Sequence, residues 1–600
     1  MRFVYNTLRA ANTVFIWPTH NNKMCGICCR LRKCKDETKE LCELQIDPLT
    51  KELLHSRGPN AHSELIFRTE NVELLFSGFV LWQQGNELCQ QPYELKHHVL
   101  LINGDIFTKL CDDTKSDTQW LTEQIDECND NQDKFLEIFR YIEGPYSILY
   151  LNKKTEDLYF IRDVLGRQSL LIAKTTDGDL MLGSVLGSPK QPYAKCMELP
   201  PLGIYRMNLS SQIIHLHPWQ NLDEANQELF LELESFLEST IAIESSLNCP
   251  WLSKSSALID FNFEEILQDF GNKKPCDVFD ELLRHENVNL VCDEVVKHLK
   301  NSLIDRISKT PSYCRMCMIS KNHLCNHSRV GILFSGGIDC TILAIFTDKH
   351  LDRNQPIDLI NVSFEKIRAH TDYNTPDRIS AKDSLIELQC LCPNRKWNLI
   401  EVNVTRDELN KSLKHRIAHL VYPLNSILDE SLGSVLWHGA HGKGTVNGYN
   451  YNSNCRILLI GSGADELFGG YTRHRNAFIR SNPSGNTPYE RLENELEFDF
   501  NRLPSRNLAR DDRVIGNFGI TARSPYLEEH FVRYVRSLNA HQKCYHTLEQ
   551  GVGDKLLLRL CGYRLGLRNV CSLKKRAMQF GSRVADSKQN AKDISKSLIE

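Results

Sequence analysis

The sequence predicts a two-domain chain of mixed class, α+β in its first half and α/β in its second. Three observations carry this. Residues 72–182 repeat short β-rich runs separated by turn residues, which reads as a sheet-rich domain. From residue 330 onward, short apolar strands alternate with helical patterns, as in a parallel sheet with helical crossovers. The chain has 600 residues, room for two to four domains of roughly 100–200 residues each.

Composition excludes several classes. Hydrophobic residues make up 41% and charged residues 25%, enough to bury sizeable cores. A net charge of -4 gives no basic excess for a nucleic-acid binder, so no nucleic-acid partner is expected. No apolar run reaches about 18 residues, so no membrane span is expected. No repeat with a period of about 20–50 residues appears, which argues against a solenoid. The 22 cysteines are scattered through a long chain rather than packed into a short scaffold. They read as reduced thiols in a cytoplasmic protein.

Residues 1–24 form an N-terminal extension. It carries Arg2, Arg9 and Lys23 and no acid, and its apolar stretch is too short for a signal-peptide core. A presequence is one reading. An alternative start at Met24 is preferred, because Cys25 follows at once.

The first domain is placed at residues 25–208. If Met24 is the initiator and is removed, Cys25 bears both a thiol nucleophile and a free α-amine, whose ordinary pKa of about 8 suits it to act as a base. Strands are expected at residues 72–82, 99–102, 147–151, 158–161, 170–172 and 180–182. Asn103 and Gly104 end one strand. A backbone N–H beside a glycine and an asparagine amide together could form an oxyanion hole, though the same pair also makes ordinary turns. Residues 209–284 mix acidic helical patterns with a polar stretch at Lys273-Lys274-Pro275 and read as a connector without chemistry.

The second domain is placed at residues 285–600. Cys314-x2-Cys317 near its start is followed by His323, Cys325 and His327, residue types that could hold zinc. The second pair lacks a standard finger spacing, so a reduced surface insertion is the expectation. Residues 330–334 then form an apolar strand leading into Ser335-Gly336-Gly337-Ile338-Asp339-Cys340 and a helical pattern. Strand, glycine loop and helix make a phosphate cradle of backbone N–H groups. Strands at residues 359–364, 398–404 and 456–460 follow, the last running into Gly461-Ser462-Gly463-Ala464-Asp465-Glu466. Two strand-end loops, each with an aspartate, suit a shared Mg2+-nucleotide site with Asp339 and Asp465 as metal carboxylates.

These motifs resemble known families. Met24-Cys25-Gly26-Ile27, Arg57-Gly58-Pro59, Gln91-Pro92, Asn103-Gly104-Asp105, Ser116-Asp117, Gly144-Pro145 and Arg162-Asp163 resemble the class II glutamine amidotransferase domain. That resemblance implies an N-terminal-nucleophile α/β/β/α sandwich. Cys25 would attack glutamine, Asn103 and Gly104 would hold the oxyanion, and Asp105 and Asp117 would help bind the substrate. The Ser-Gly-Gly-x-Asp loop resembles the N-type ATP pyrophosphatases. With Asp512-Arg513, Ala522-Arg523-Ser524-Pro525-Tyr526-Leu527 and Lys555-Leu556-Leu557-Leu558-Arg559, the second half resembles the asparagine synthetase and β-lactam synthetase group. This implies ATP and Mg2+ held near Leu333, Ser335, Gly336, Gly337, Asp339, Cys340, Val362, Gly461 and Asp465, with glutamine and aspartate as further ligands. A homodimer or a protein partner is left open.

Four departures bear on activity. Val80 stands where the family has an arginine for the glutamine carboxylate, a bidentate contact worth much to binding. Ser462 replaces the glutamate assigned to take the ammonia proton, and Ala577 replaces a catalytic lysine. Cys340 replaces a loop serine with a weaker donor. Three readings follow: glutamine-dependent amidation of aspartate through an acyl-adenylate, the same chemistry on another carboxylate or acceptor, and an impaired ATP- or partner-binding protein on the same fold.

Overall fold

The computed structural model describes residues 25–34, 43–108, 114–187, 193–253, 258–267, 273–320, 325–366, 372–480, 485–585 and 590–599. The expected extension lies outside them.

The first half stacks two sheets. One orders Tyr193–Glu198, Leu171–Thr175, Leu180–Gly183, Gly26–Lys33, Val72–Val80 and Ala61–Arg68. The other orders Ile241–Ile243, Ile214–Pro218, Gly203–Asn208, Asp157–Arg162, Tyr146–Asn152, His98–Gly104 and Tyr93–Glu94. Successive strand residues face opposite ways. Ile27, Cys29 and Leu31 therefore meet Val99, Leu101, Leu149 and Phe160 between the sheets. Cys28 faces outward, in one core with Leu53 and Leu54 of the helix Pro48–Arg57. Ile102, Ile148 and Tyr150 pack beyond the second sheet against Leu121 and Phe135 of the helices Asp117–Glu127 and Gln132–Tyr141. The result is a helix–sheet–sheet–helix sandwich.

This sheet runs past the expected domain edge at residue 208. Gly203–Asn208 pairs with Ile214–Pro218, which pairs in parallel with Ile241–Ile243. The acidic helix Glu224–Leu237 is the crossover between those last two strands. A strand of three residues is too short to show a period, so only the helix stands out in the sequence.

The second half carries a sheet with parallel strands in the order Trp397–Val404, Ile357–Phe364, Val330–Leu333, Ile457–Leu459 and Thr521–Arg523, with the hairpin Lys443–Val446/Tyr449–Asn452 at one edge. Along the sheet the chain steps back from Val330–Leu333 to one side, then forward to the other. Val330–Leu333 and Ile457–Leu459 flank the point of reversal, where loops leave in opposite directions and open a crevice at the strand ends.

The cores do not stop at the domain boundary. One contiguous cluster joins Leu100 and Ile148 to Ile332 and Leu459, and another joins Cys28 and Leu75 to Ile360 and Ile400. No helix among the described residues is long and apolar enough to cross a membrane.

Candidate active site

The crevice is the larger site, a cavity of about 410 Å³. Leu333, Ser335, Asp339, Cys340, Val362, Gly461 and Asp465 line it, so the structure gathers seven of the residues expected at the nucleotide into one wall. Gly336 and Gly337 form the turn behind that wall. Gly336 has φ +78°, and a Cβ there would lie 2.3 Å from the Ser380 carbonyl oxygen, so only glycine fits. The Gly337 N–H donates to Ser335 Oγ (3.4 Å), and the helix Ile338–His350 starts immediately after it.

Asp339 and Asp465 converge on one ammonium. Lys555 Nζ lies 2.7 Å from Asp339 and 2.9 Å from Asp465, and Lys575 Nζ lies 2.5 Å from Asp465. Against the cost of burial, these two lysines hold the Asp465 carboxyl far below the usual carboxylate range. Two hard carboxylates aimed at a single cationic centre fit a divalent ion such as Mg2+, with Lys555 sharing or ceding the seat.

Two departures noted in the sequence change meaning here. Ser462 does face the cavity, but so does Glu466, four residues on. Burial, and then the adjoining Asp465, push the Glu466 carboxyl up to about 7, while the Tyr471 hydroxyl donates to it at 2.7 Å. Ala577 is also on the cavity wall, and Lys575, two residues earlier, already delivers an ammonium into it. Neither Glu466 nor Lys575 stood out in the sequence, because a fixed spacing hides a substitution supplied from a neighbouring position.

The far wall carries arginines. After the helix Pro488–Leu503 the chain widens into a π-turn over Pro504–Leu508, since Pro504 has no N–H for the helical ladder. Arg506 lies on that turn and lines the cavity with no ion-pair partner among the described residues.

The second site surrounds Cys25 and is far smaller, about 40 Å³. Its walls include Val80, Leu81, Gln91, Gly104 and Asp117, and no lysine or arginine among the described residues. The Leu81 N–H donates to Cys25 Sγ at 3.3 Å, and burial pushes the thiol up to about 12. Asp117 accepts from the Ile106 N–H through one oxygen (2.8 Å). Its other oxygen is buried without a partner, which suits a substrate ammonium. Burial first, and Asp105 second, raise this carboxyl to about 8.

Two expectations at this site need correction. Asp105 does not line the pocket: both its oxygens accept from Arg523 of the second domain at 2.9 Å, a fork-on-carboxylate pair. Asn103 is fully buried but does not line the pocket. Its amide nitrogen is directed to Ser147 Oγ (3.4 Å) and Gln168 (3.1 Å). Gly104 does line it, with φ +142° and a Cβ position 2.1 Å from the Pro145 carbonyl oxygen.

Arg57 ties the Cys25 backbone to the second domain and was legible only as part of a motif. It is wholly buried, donates to the Cys25 carbonyl (3.2 Å), and its Nη2 donates to both Asp512 carboxylate oxygens at 2.9 Å. A small cavity of about 30 Å³, walled by Arg306, Arg523, Asp512 and Ile460 and sharing Ile460 with the crevice lining, is large enough for one or two waters or an ammonia.

The asparagine synthase family model matches residues 320–496 and 482–598. Asparagine synthetase domain-containing protein CG17486 of Drosophila melanogaster is 40% identical over 582 residues, covering 96% of this chain and all of that one. The chain belongs to the asparagine synthetase domain-containing protein family. The human relative, asparagine synthetase domain-containing protein 1, is 32% identical over 622 residues, covering 94% and 95% of the two chains. A solved glutamine phosphoribosylpyrophosphate amidotransferase from B. subtilis, complexed with ADP and GMP, aligns over 58% of this chain and 68% of its own at 14% identity, with a TM-score of 0.23. In this asparagine synthetase domain-containing chain the family match covers the cavity and both its loops.

The cysteine-rich segment also departs from the sequence expectation. It is not a surface insertion. Cys314, Cys317 and Cys325 are buried and gathered with His327, while His323 lies outside the described residues.

Proposed function

We propose that this chain is an ATP-dependent carbon–nitrogen ligase that amidates aspartate. A substrate carboxylate oxygen attacks the α-phosphorus of ATP, and pyrophosphate leaves. Ammonia then attacks the acyl-adenylate carbon, AMP departs with the C–O electron pair, and the nitrogen loses a proton to Glu466. Mg2+ held by Asp339 and Asp465 would neutralise phosphate charge. The glycine turn and the helix that follows it offer N–H groups to the pyrophosphate. Lys575 supplies the positive charge expected from residue 577, and Arg506, on the cavity lining, would take a carboxylate of aspartate.

One observation carries the reading: a cavity of about 410 Å³ at the sheet's point of reversal is lined together by Ser335, Asp339, Asp465, Lys575 and Glu466. A second reading concerns the nitrogen source. The Cys25 pocket, at about 40 Å³ and without a lining cation, favours free ammonia over glutamine until that pocket opens. The test uses protein beginning at Cys25, with MgATP, aspartate and either ammonium or glutamine, and quantifies AMP and asparagine. Equal AMP and asparagine, lost in Asp339→Ala, would support the ligase. AMP alone would point to another acceptor, and neither product would sink it. Turnover with ammonium but not glutamine would support the second reading.

A further inference from the structure

The segment before the first strand of the second domain holds a cluster that the ligase chemistry does not use. Cys314, Cys317, Cys325 and His327 place their ligand atoms within 4.8 Å of one another. His327 Nδ1 lies 3.6 Å from Cys314 Sγ, 3.4 Å from Cys317 Sγ and 3.7 Å from Cys325 Sγ. One imidazole nitrogen thus faces three sulfurs at nearly equal range. Tetrahedral zinc, with Zn–S about 2.3 Å and Zn–N about 2.0–2.1 Å, sets nitrogen and sulfur about 3.5 Å apart. All three separations agree with that figure to within about 0.2 Å.

Backbone N–H groups face two of the sulfurs. The Cys314 N–H donates to Cys325 Sγ (3.4 Å), and the Cys317 N–H donates to Cys314 Sγ (3.5 Å). None of the three forms a disulfide, although all are buried. Three thiols converging on one imidazole cannot be satisfied by a single disulfide, whereas one four-coordinate ion uses all four groups.

We infer that Cys314, Cys317, Cys325 and His327 form a structural Zn2+ site. Binding releases the thiol protons, forms three Zn–S bonds and one Zn–N bond, and leaves no open position. What the ion steadies can be read from the packing. Tyr313, Met318 and the three cysteines form a small core against Trp82, with the Tyr313 and Trp82 ring centroids 6.0 Å apart. Arg456 ties the same patch together, bonding the Trp82 carbonyl and Met318 Sδ. Trp82 follows Val80 and Leu81 on the wall of the Cys25 pocket. The ion therefore buttresses that wall from the second domain.

The experiment uses the full chain, expressed with zinc in the medium. Elemental analysis after gel filtration should find about one zinc per chain, falling at least tenfold in Cys317→Ser/Cys325→Ser. Replacing zinc with Co2+ should give sulfur-to-cobalt charge-transfer bands and the intense visible bands of a tetrahedral ion. His327 is exposed, so His327→Ala removes a ligand without disturbing the core. It should weaken zinc at least tenfold in competition with a chromophoric chelator while circular dichroism stays unchanged. Metal-free wild-type protein with no cobalt spectrum would overturn the site. So would equal zinc in wild type and His327→Ala at every chelator concentration, or bound iron with a sulfide chromophore.

Discussion

At the scale of single residues, the cavity turns on carboxyls whose ionisation has been moved. Glu466 sits at about 7, near the pH at which a base both exists as carboxylate and still accepts a proton. If it takes the ammonia proton, amide formation measured at a fixed concentration of free NH3 rises with pH up to about 7 and levels off above it, because the carboxylate is the active form. Glu466→Gln should lower that rate by about 10²-fold or more and remove the rise, while pyrophosphate release persists. A Gln variant that keeps the wild-type profile would remove Glu466 from the reaction. Cys25 is moved in the opposite functional sense. With its thiol raised to about 12, the thiolate is scarce at neutral pH, and its population grows about tenfold per pH unit. In the full chain, iodoacetamide should therefore modify Cys25 far more slowly than the exposed Cys34, Cys276 and Cys390 at pH 7.5, and faster with each unit above it. Peptide mass spectrometry reads all four rates, and equal rates at pH 7.5 would contradict the raised Cys25 thiol.

At the scale of elements, the glycine loop is the part least able to change. Gly336→Ala meets both a positive φ and the Ser380 carbonyl oxygen at 2.3 Å, so the loop must move to accept it. We expect at least tenfold weaker binding of a labelled ATP analogue, with the melting temperature lowered by a few degrees at most because the turn lies at the cavity edge. Unchanged nucleotide affinity would show that the turn does not cradle phosphate. This loop was legible in the sequence because strand, glycines and helix follow one another locally. Strands at residues 330–333, 357–364 and 397–404 were legible for the same reason, as short runs dominated by Val, Ile and Leu between turn or helical patterns. Gly26–Lys33 was not. It alternates Ile27, Cys29 and Leu31 with Cys28, Arg30 and Arg32, and the two arginines pass as loop until Asp179 and Glu73 pair with them. Thr521–Arg523 was hidden by its length of three residues. Among site residues, those in fixed motifs could be placed from sequence. The roles of Lys555, Glu466 and Arg57 could not, since each depends on a partner that only folding supplies.

At the scale of the whole molecule, the two halves are joined by buried charge as well as by continuous cores. Arg57 with Asp512, Arg523 with Asp105, Arg167 with Glu529 and Arg513 with Glu198 each cross the boundary. Buried pairs add little net stability over apolar packing, but removing one partner leaves an uncompensated charge and costs about 3–5 kcal/mol. The pair Arg523–Asp105 is the sharpest test, since both side chains are within 1% of full burial. Arg523→Met and Asp105→Leu should each destabilise by about that amount in urea unfolding, and the double variant should recover most of it. Additive losses would mean the two residues act independently. The cycle also reaches the Cys25 pocket. Arg523 lowers the Asp117 carboxyl while Asp105 raises it. Arg523→Met should therefore move Asp117 further above 8, and Asp105→Leu should bring it down. An ionised Asp117 is what a substrate ammonium requires. Binding at that pocket should thus be weaker near neutral pH in Arg523→Met and stronger in Asp105→Leu, although both variants lose the same domain contact. A loss of the contact alone would shift binding the same way in both, so opposite shifts would trace the effect to charge carried across the domain boundary.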